Sequence, residues 1–485
     1  MRVMLTVVAT TMSALLAAGP PSGEPTTPHT AADNTVVCNK YCDNRAADQA
    51  TGDRIAVTTP LDDRVLQLHF ADNDPMGWAA IDHVKPGDSV WLDRSFDAGS
   101  SWTGGSQLGL TKAPSGIGAW RTQMYNNDDW NNRGVGALRA CGSAVDTGRI
   151  ACTPWARTRW NAANRAQAAA TAMMATYDNG TGYFRSSSGW GSAVSLSGVI
   201  RDAVVTGMGS YEYAIATTYD KNVNAGRGQF RNEFSDDTGW WAMAWLDAYD
   251  RTGQQRYLDT AKAEAEHMQT FWTGDCGGGI RWQEGQPYKA SISNSLYLQV
   301  NATLADRTGS ATYRTRAQQG WEWFRSKGLI GSDGLVIDGV DGSSCAAVGK
   351  RYTYNQGVLV SALIALSRVN GDQGLITTAR SIADATTRTG SYFTGSDGIV
   401  GDPGESSSCT DDGSFFKAGL VRGLSELDAA VSGAPYRDFL VRQADSAYAR
   451  SRNDFDQYSR SWSGGTGKGP GCQAGGLALM NATHQ

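Results

Sequence analysis

Two textures of apolar and polar residues divide this chain. Between Val36 and Thr153 apolar residues alternate with polar ones in short runs: Arg54-Ile-Ala-Val-Thr-Thr, Val65-Leu-Gln-Leu-His-Phe, Ser89-Val-Trp-Leu-Asp and Ala119-Trp-Arg-Thr-Gln-Met. Clusters of Gly, Pro and Asp separate them. Alternation puts successive side chains on opposite faces of a strand, so residues 36–153 read as a small antiparallel β-sandwich. From Trp155 onward Ala-rich runs follow helical spacing, as where Trp241, Ala244, Trp245 and Ala248 share one face. A punctuation recurs there. Asp250-Arg-Thr-Gly253 leads to Tyr257, Asp306-Arg-Thr-Gly309 to Tyr313, Arg368-Val-Asn-Gly371 to Leu375, and Val431-Ser-Gly433 to Tyr436, with Gly207 and Tyr211 as a weaker case. Each Gly reads as a left-handed helix cap followed at once by a new helix. The steps between Gly253, Gly309, Gly371 and Gly433 are 56, 62 and 62 residues, a helix-hairpin repeat.

Helices placed around these turns run over 159–177, 192–206, 209–221, 239–252, 254–271, 289–308, 310–326, 355–370, 372–389, 414–432, 435–451 and 471–483. Twelve helices in six hairpins predict an (α/α)6 barrel over residues 154–485. The overall class is multi-domain α and β. A linear solenoid is the rival; it has no reason to stop at six hairpins and needs polar faces on its terminal repeats. If tight turns occupy one end, the long loops converge at the other. Those loops carry Tyr183, Phe184 and Trp190; Phe230, Asp236 and Asp237; Trp282, Glu284, Tyr288 and Lys289; Tyr352, Tyr354, Asn355 and Gln356; Asp411, Asp412, Phe415, Phe416 and Lys417; Tyr458 and Trp462. Aromatic faces beside carboxylates and amides suit a sugar, whose C–H faces stack on rings while its hydroxyls form directional hydrogen bonds.

Composition narrows the class. The 485 residues carry a net charge of −5 with 19% charged residues, so no basic surface for nucleic acid is expected. Five widely spaced histidines argue against a zinc site or a Ser-His-Asp triad; no metal and no cofactor are expected. Residues 1–35 read as a signal peptide and leader: Met-Arg, an apolar run from Val3 to Ala18, small residues at Ala17-Ala18-Gly19, then a Pro/Thr-rich stretch. The run is shorter than the roughly 20 residues that span a bilayer, so no membrane anchor is expected after its removal. A secreted monomer is the expectation. Eight cysteines without CxxC spacing fit disulfides in an exported protein, and four lie on or beside the long loops; pairing is open at this level. In the β region, Ser95-Phe-Asp97-Ala-Gly99-Ser-Ser-Trp102 resembles an Asp-box, a structural turn.

The candidate chemistry is an acid pair. Hydrolysis of a glycosidic bond usually takes two carboxyl groups, one to protonate the leaving oxygen and one to serve the sugar carbon. Asp236 and Asp237 stand before an aromatic helix in Phe-Ser-Asp-Asp-Thr-Gly-Trp-Trp. Helix capping accounts for the same residues equally well, since carboxylates suit a helix start. Asp62/Asp63 and Asp128/Asp129 read as polar turns of the β region. Asp411/Asp412 lies on a long loop and reads more as a cap than as a substrate contact.

Five separated motifs carry a resemblance. Asp236-Asp-Thr-Gly-Trp-Trp-Ala-Met-Ala, the Thr-Gly-x-x-x-Tyr turns, Lys289-Ala-Ser-Ile-Ser-Asn294, Tyr352-Thr-Tyr-Asn-Gln-Gly357 and Phe415-Phe-Lys417-Ala-Gly resemble glycoside hydrolase family 76 over about Trp160 to Ala482. The resemblance implies an α-1,6-mannanase or α-mannosidase that acts on α-mannan with retention. It implies Asp236 as nucleophile and Asp237 as general acid/base; for that role burial and the neighbouring negative charge must keep Asp237 protonated near neutral pH. Tyr354, Asn355 and Lys417 match family motifs and are expected to bind substrate; Trp282 is expected as a stacking platform, or else as core. A transglycosidase and a non-catalytic carbohydrate-binding protein are the alternatives. The β region lies outside the resemblance.

Overall fold

The structure is a computed structural model that describes residues 36–484 apart from 97–98, 100–101, 103–106, 130–135, 160–164, 188, 406–407, 454 and 466. The expected leader, residues 1–35, and Asp97 of the Asp-box turn lie outside the described residues.

Among the described residues nine strands form the first region: β1 (Arg54–Leu61), β2 (Arg64–Ala71), β3 (Met76–Asp82), β4 (Ser89–Ser95), β5 (Leu108–Lys112), β6 (Ala119–Arg121), β7 (Tyr125–Asn126), β8 (Ala137–Ser143) and β9 (Ile150–Cys152). They make two antiparallel sheets. One has the order β1-β2-β3-β6, with β7 also on β3; the other is β5-β4-β8-β9. Leu66, Leu68 and Ile81 of the first sheet share one core with Val90, Leu92 and Leu138 of the second. Arg64, buried at the end of that core, donates two parallel hydrogen bonds to Asp88 at 2.9 and 3.0 Å. Cys141–Cys152 ties β8 to β9, and Cys38–Cys42 closes the segment before β1. Trp102 of the Asp-box stretch packs against Trp155 and under the Arg139 guanidinium, a structural setting.

Among the described residues twelve helices follow: α1 (Arg165–Met174), α2 (Gly189–Thr206), α3 (Tyr213–Asn222), α4 (Ser235–Thr252), α5 (Gln255–Thr270), α6 (Ser291–Thr308), α7 (Ala311–Ser326), α8 (Thr353–Asn370), α9 (Gln373–Thr387), α10 (Phe416–Ala430), α11 (Arg437–Arg450) and α12 (Pro470–Thr483). Gly253, Gly309 and Gly371 take left-handed φ values of 68, 70 and 78° at the ends of α4, α6 and α8, as their position in the repeat predicts. The even-numbered helices pack each against the next, and α12 returns against α2. Burial explains their place. α6, α8 and α12 are buried over most of their length and circumference, whereas α7 and α11 bury one face.

One start differs from the sequence reading in a way that bears on function. α4 begins at Ser235, four residues before the expected 239, so Asp236 and Asp237 sit inside its first turn. Gly239 discourages helix from sequence, yet here it is a packing residue. A Cβ at that position would lie 2.9 Å from both the Leu296 Cβ and the Met268 Cε, so only Gly lets α4 approach α5 and α6 this closely.

Candidate active site

The first turn of α4 is built by its own neighbours. Phe234 precedes the helix in extended conformation, and no side chain caps it at that residue. The Thr238 hydroxyl donates back to the Phe234 carbonyl at 3.2 Å, and Ser235 donates through both its N–H and its hydroxyl to the Trp282 carbonyl. This clasp joins the helix start to the loop after α5. Asp236 and Asp237 therefore emerge from a fixed turn.

Asp236 accepts two N–H bonds: the Trp282 indole at 3.0 Å on one oxygen and the Asp237 amide at 3.1 Å on the other. Asp237 accepts one, from the Asn232 side-chain amide at 2.7 Å. Asn232 is itself held, since its Oδ1 accepts from the Phe234 N–H at 2.9 Å and its carbonyl accepts from His267 Nε2 at 2.8 Å. Burial pushes Asp236 well above the usual carboxylate range and the Asp237 charge adds to this; the amide and indole donors oppose it. Burial also pushes Asp237 up to about 6, opposed by the Asn232 donor and reinforced by the charges of Asp412 and Glu233.

The two acids open onto a cleft of about 420 Å³, lined also by Trp190, Phe234, Trp240, Trp282, Tyr354, Asp412 and Phe416. Trp190 stacks on Trp240 with centroids 5.7 Å apart, and its indole N–H donates to Asp412 at 2.9 Å. Tyr354 lies flat on Phe416, centroids 4.0 Å apart. These rings come from α2, α4, α8 and α10 and surround an acidic floor.

Of the six expected site residues, four line this cleft: Asp236, Asp237, Trp282 and Tyr354. Asn355 and Lys417 do not. Asn355 is fully buried and donates to Asp338 at 3.2 Å, an acid that also accepts from the Tyr288 hydroxyl at 2.8 Å. Lys417 is buried against Glu405 at 2.7 Å, donates to the Arg460 carbonyl and lies over the Trp462 ring. Lys289, expected on the loop face, is buried instead. Its ammonium reaches the Thr273 hydroxyl and the carbonyls of Thr273, Asp275, Gly278 and Gly279 at 2.5–3.3 Å, which moulds the loop leading to Trp282. That loop is also tied by Cys276–Cys345, while Cys409–Cys472 ties the loop before α10 to the start of α12.

Sequence reasoning passed over Asn232, Phe234 and Trp240. Trp240 was reachable: on a helix it lies three and four residues from the acids and so shares their face. Asp412 was placed on the right loop but read as a cap. No such signal marks Asn232.

The family model of glycosyl hydrolase family 76 matches residues 161–484, the stretch that holds every cleft residue. The chain belongs to glycosyl hydrolase family 76. Among curated relatives, the mannan endo-1,6-alpha-mannosidase DCW1 of Saccharomyces cerevisiae is 31% identical over 214 residues, 40% of this chain and 46% of that protein. The mannan endo-1,6-alpha-mannosidase DFG5 of Candida albicans is 32% identical over 182 residues, 34% of this chain and 40% of that one. The chain thus spans about half or less of the length of these family 76 relatives. Among solved structures, the GH76A alpha-1,6-mannanase of Salegentibacter sp. HEL1_6 superposes with a TM-score of 0.61 at 24% identity, covering 66% of this chain and 98% of that one. An inactive variant of it, with two consecutive aspartates replaced by alanine, was solved in complex with alpha-1,6-mannotetrose. At such identity the likeness speaks for the shared family 76 fold.

Proposed function

We propose that this chain is a secreted glycoside hydrolase that cleaves α-1,6-mannosidic linkages in mannan-type polysaccharides by a two-aspartate retaining mechanism. The observation that carries the reading is the pair of consecutive acids, in the first turn of α4, facing an aromatic cleft with unequal hydrogen-bond donors. The relatives named as mannan endo-1,6-alpha-mannosidases and the mannotetrose complex supply the substrate class.

In the proposed reaction Asp236, steadied as carboxylate by the Trp282 and Asp237 N–H groups, attacks the anomeric carbon. Asp237 gives its proton to the departing glycosidic oxygen. The C–O bond breaks as the Asp236–carbon bond forms. Asp237, now a carboxylate, takes a proton from water, whose oxygen displaces Asp236 and restores the first configuration. Burial pushes both acids up; the two N–H donors on Asp236 favour the carboxylate that the attack needs, while Asp412 and Glu233 favour the proton on Asp237. Trp282 and Tyr354 offer ring faces to the sugar. Asn355 and Lys417 act in this reading from behind the cleft wall rather than on substrate.

Several further assignments belong to the same proposal. Residues 36–153 form a β-sandwich accessory domain and 154–485 an (α/α)6 catalytic domain, supported by the two facing sheets and by the return of α12 to α2. Secretion is supported by four disulfides, which persist in oxidising compartments. Among the described residues no helix is long and apolar enough to cross a membrane.

Linear α-1,6-mannan is the test substrate. Asp236→Asn and Asp237→Asn should each lower reducing-end release by about 10²–10⁴-fold with the fold intact. Full activity in either variant sinks the assignment. The row of rings beside the acids also favours a second reading, transfer of the mannosyl unit to another glycan held on those rings. Longer products appearing with an added mannobiose acceptor, in place of free reducing ends, would select it.

A further inference from the structure

The β region holds a second concavity that the proposed chemistry does not use. β5 and β6 end their respective sheets, β5 pairing with β4 and β6 with β3. Where these two edges meet the segment 44–48, a groove of about 480 Å³ opens. Trp120 on β6 lines it, half-buried against the core between the sheets. Its indole N–H donates to the Thr111 hydroxyl on β5 at 3.1 Å, which fixes the ring across the seam. Leu110 beside it is 51% exposed. The rim is polar. The Asn44 Oδ1 accepts from the Tyr125 hydroxyl at 3.2 Å, while its side-chain NH2 bonds nothing among the described residues. Asp48, Arg121 and Gln123 are exposed, and their side chains form no ion pair or hydrogen bond among the described residues.

An indole held rigidly, an exposed aliphatic neighbour and a rim of two amides suit a ligand with C–H faces and many hydroxyls. The one carboxylate and one guanidinium cancel, so the groove favours a neutral polymer over an acidic or basic one. We propose that this groove binds a stretch of neutral hexose chain, the same α-mannan the cleft is proposed to cleave, and so tethers the enzyme to its polymer. The identity of the sugar rests on the function proposed above; the groove as a glycan site does not. Two sites on one chain engage one polymer together, and the second contact then raises retention without a new contact in the cleft.

Affinity electrophoresis of the full chain through linear α-1,6-mannan tests this, with the Asp236→Asn/Asp237→Asn double variant as parent so that the polymer stays intact. Adding Trp120→Ala should weaken apparent affinity at least tenfold. Arg121→Ala with Gln123→Ala, exposed residues whose loss leaves the core alone, should do the same and decides the matter if Trp120→Ala unfolds. In the otherwise unmodified chain both changes should leave hydrolysis of α-1,6-mannotetraose within twofold. Retardation that stays within twofold of the parent in both variants overturns the groove. Equal retardation in dextran and mannan overturns the stated sugar. If the unmodified chain fails to cut mannotetraose while both variants still lose retardation on mannan, the groove stands and the hydrolase reading falls.

Discussion

In the proposed mechanism Asp237 holds a proton when substrate arrives, and its surroundings pull in opposite directions. Burial, Asp412 and Glu233 favour the proton; the Asn232 amide favours its loss. With the group pushed up to about 6, the acid is competent below that pH and is lost as pH rises through it, so kcat/KM should fall above about pH 6. Asp412→Asn removes one charge that opposes ionisation. The alkaline limb should then move to lower pH by about half a unit to one unit in a kcat/KM profile on mannotetraose. Trp282 combines two contributions, a ring on the cleft wall and an N–H on Asp236. Trp282→Phe keeps a ring and deletes the donor. A hydrogen bond to a charged group is worth about 1.5–3 kcal/mol, so kcat should drop about 10–150-fold with KM nearly unchanged.

Between neighbouring elements, close backbone approach decides the geometry. At Gly357 an added Cβ would lie 2.1 Å from the Gly419 carbonyl oxygen and 2.3 Å from the Leu420 Cα, so α8 and α10 touch backbone to backbone there. Gly357→Ala should lower stability by about 1–3 kcal/mol or more, read from the urea midpoint, because backbone cannot yield as a side chain can. Much of this level was readable from the chain: the capping glycines at 253, 309 and 371 and the helical spacing located all twelve helices. The start of α4 was not, because Gly239 serves packing against local propensity. The two misplaced binding residues share one cause. Asn355 follows Tyr354 and Lys417 follows Phe416 along a helix, and each step turns the side chain by about 100°. The aromatic partner meets the cleft; the next residue faces Asp338 or Glu405. A motif matched as a block cannot separate them.

Across the molecule, the cleft is assembled from segments far apart in sequence and held by cross-links near it. Cys276–Cys345 spans 69 residues and joins the loop before Trp282 to the segment before α8. Replacing both with Ser should reduce stability by about 4 kcal/mol by loop-closure entropy, measured by denaturant titration against the intact chain. Lys289 still anchors the 273–279 loop in that variant, so activity at low temperature should persist. Asp236 and Asp237 respond differently to such loosening. They hang from consecutive peptide units, so the distance between their backbones is a covalent constant of roughly 3.8 Å. Heat or reduction can strip away the surrounding rings and donors, yet it cannot drive the acids themselves apart while that turn of helix persists. Inactivation on warming should therefore follow the loss of sugar binding, which should fade before the acid pair loses its spacing.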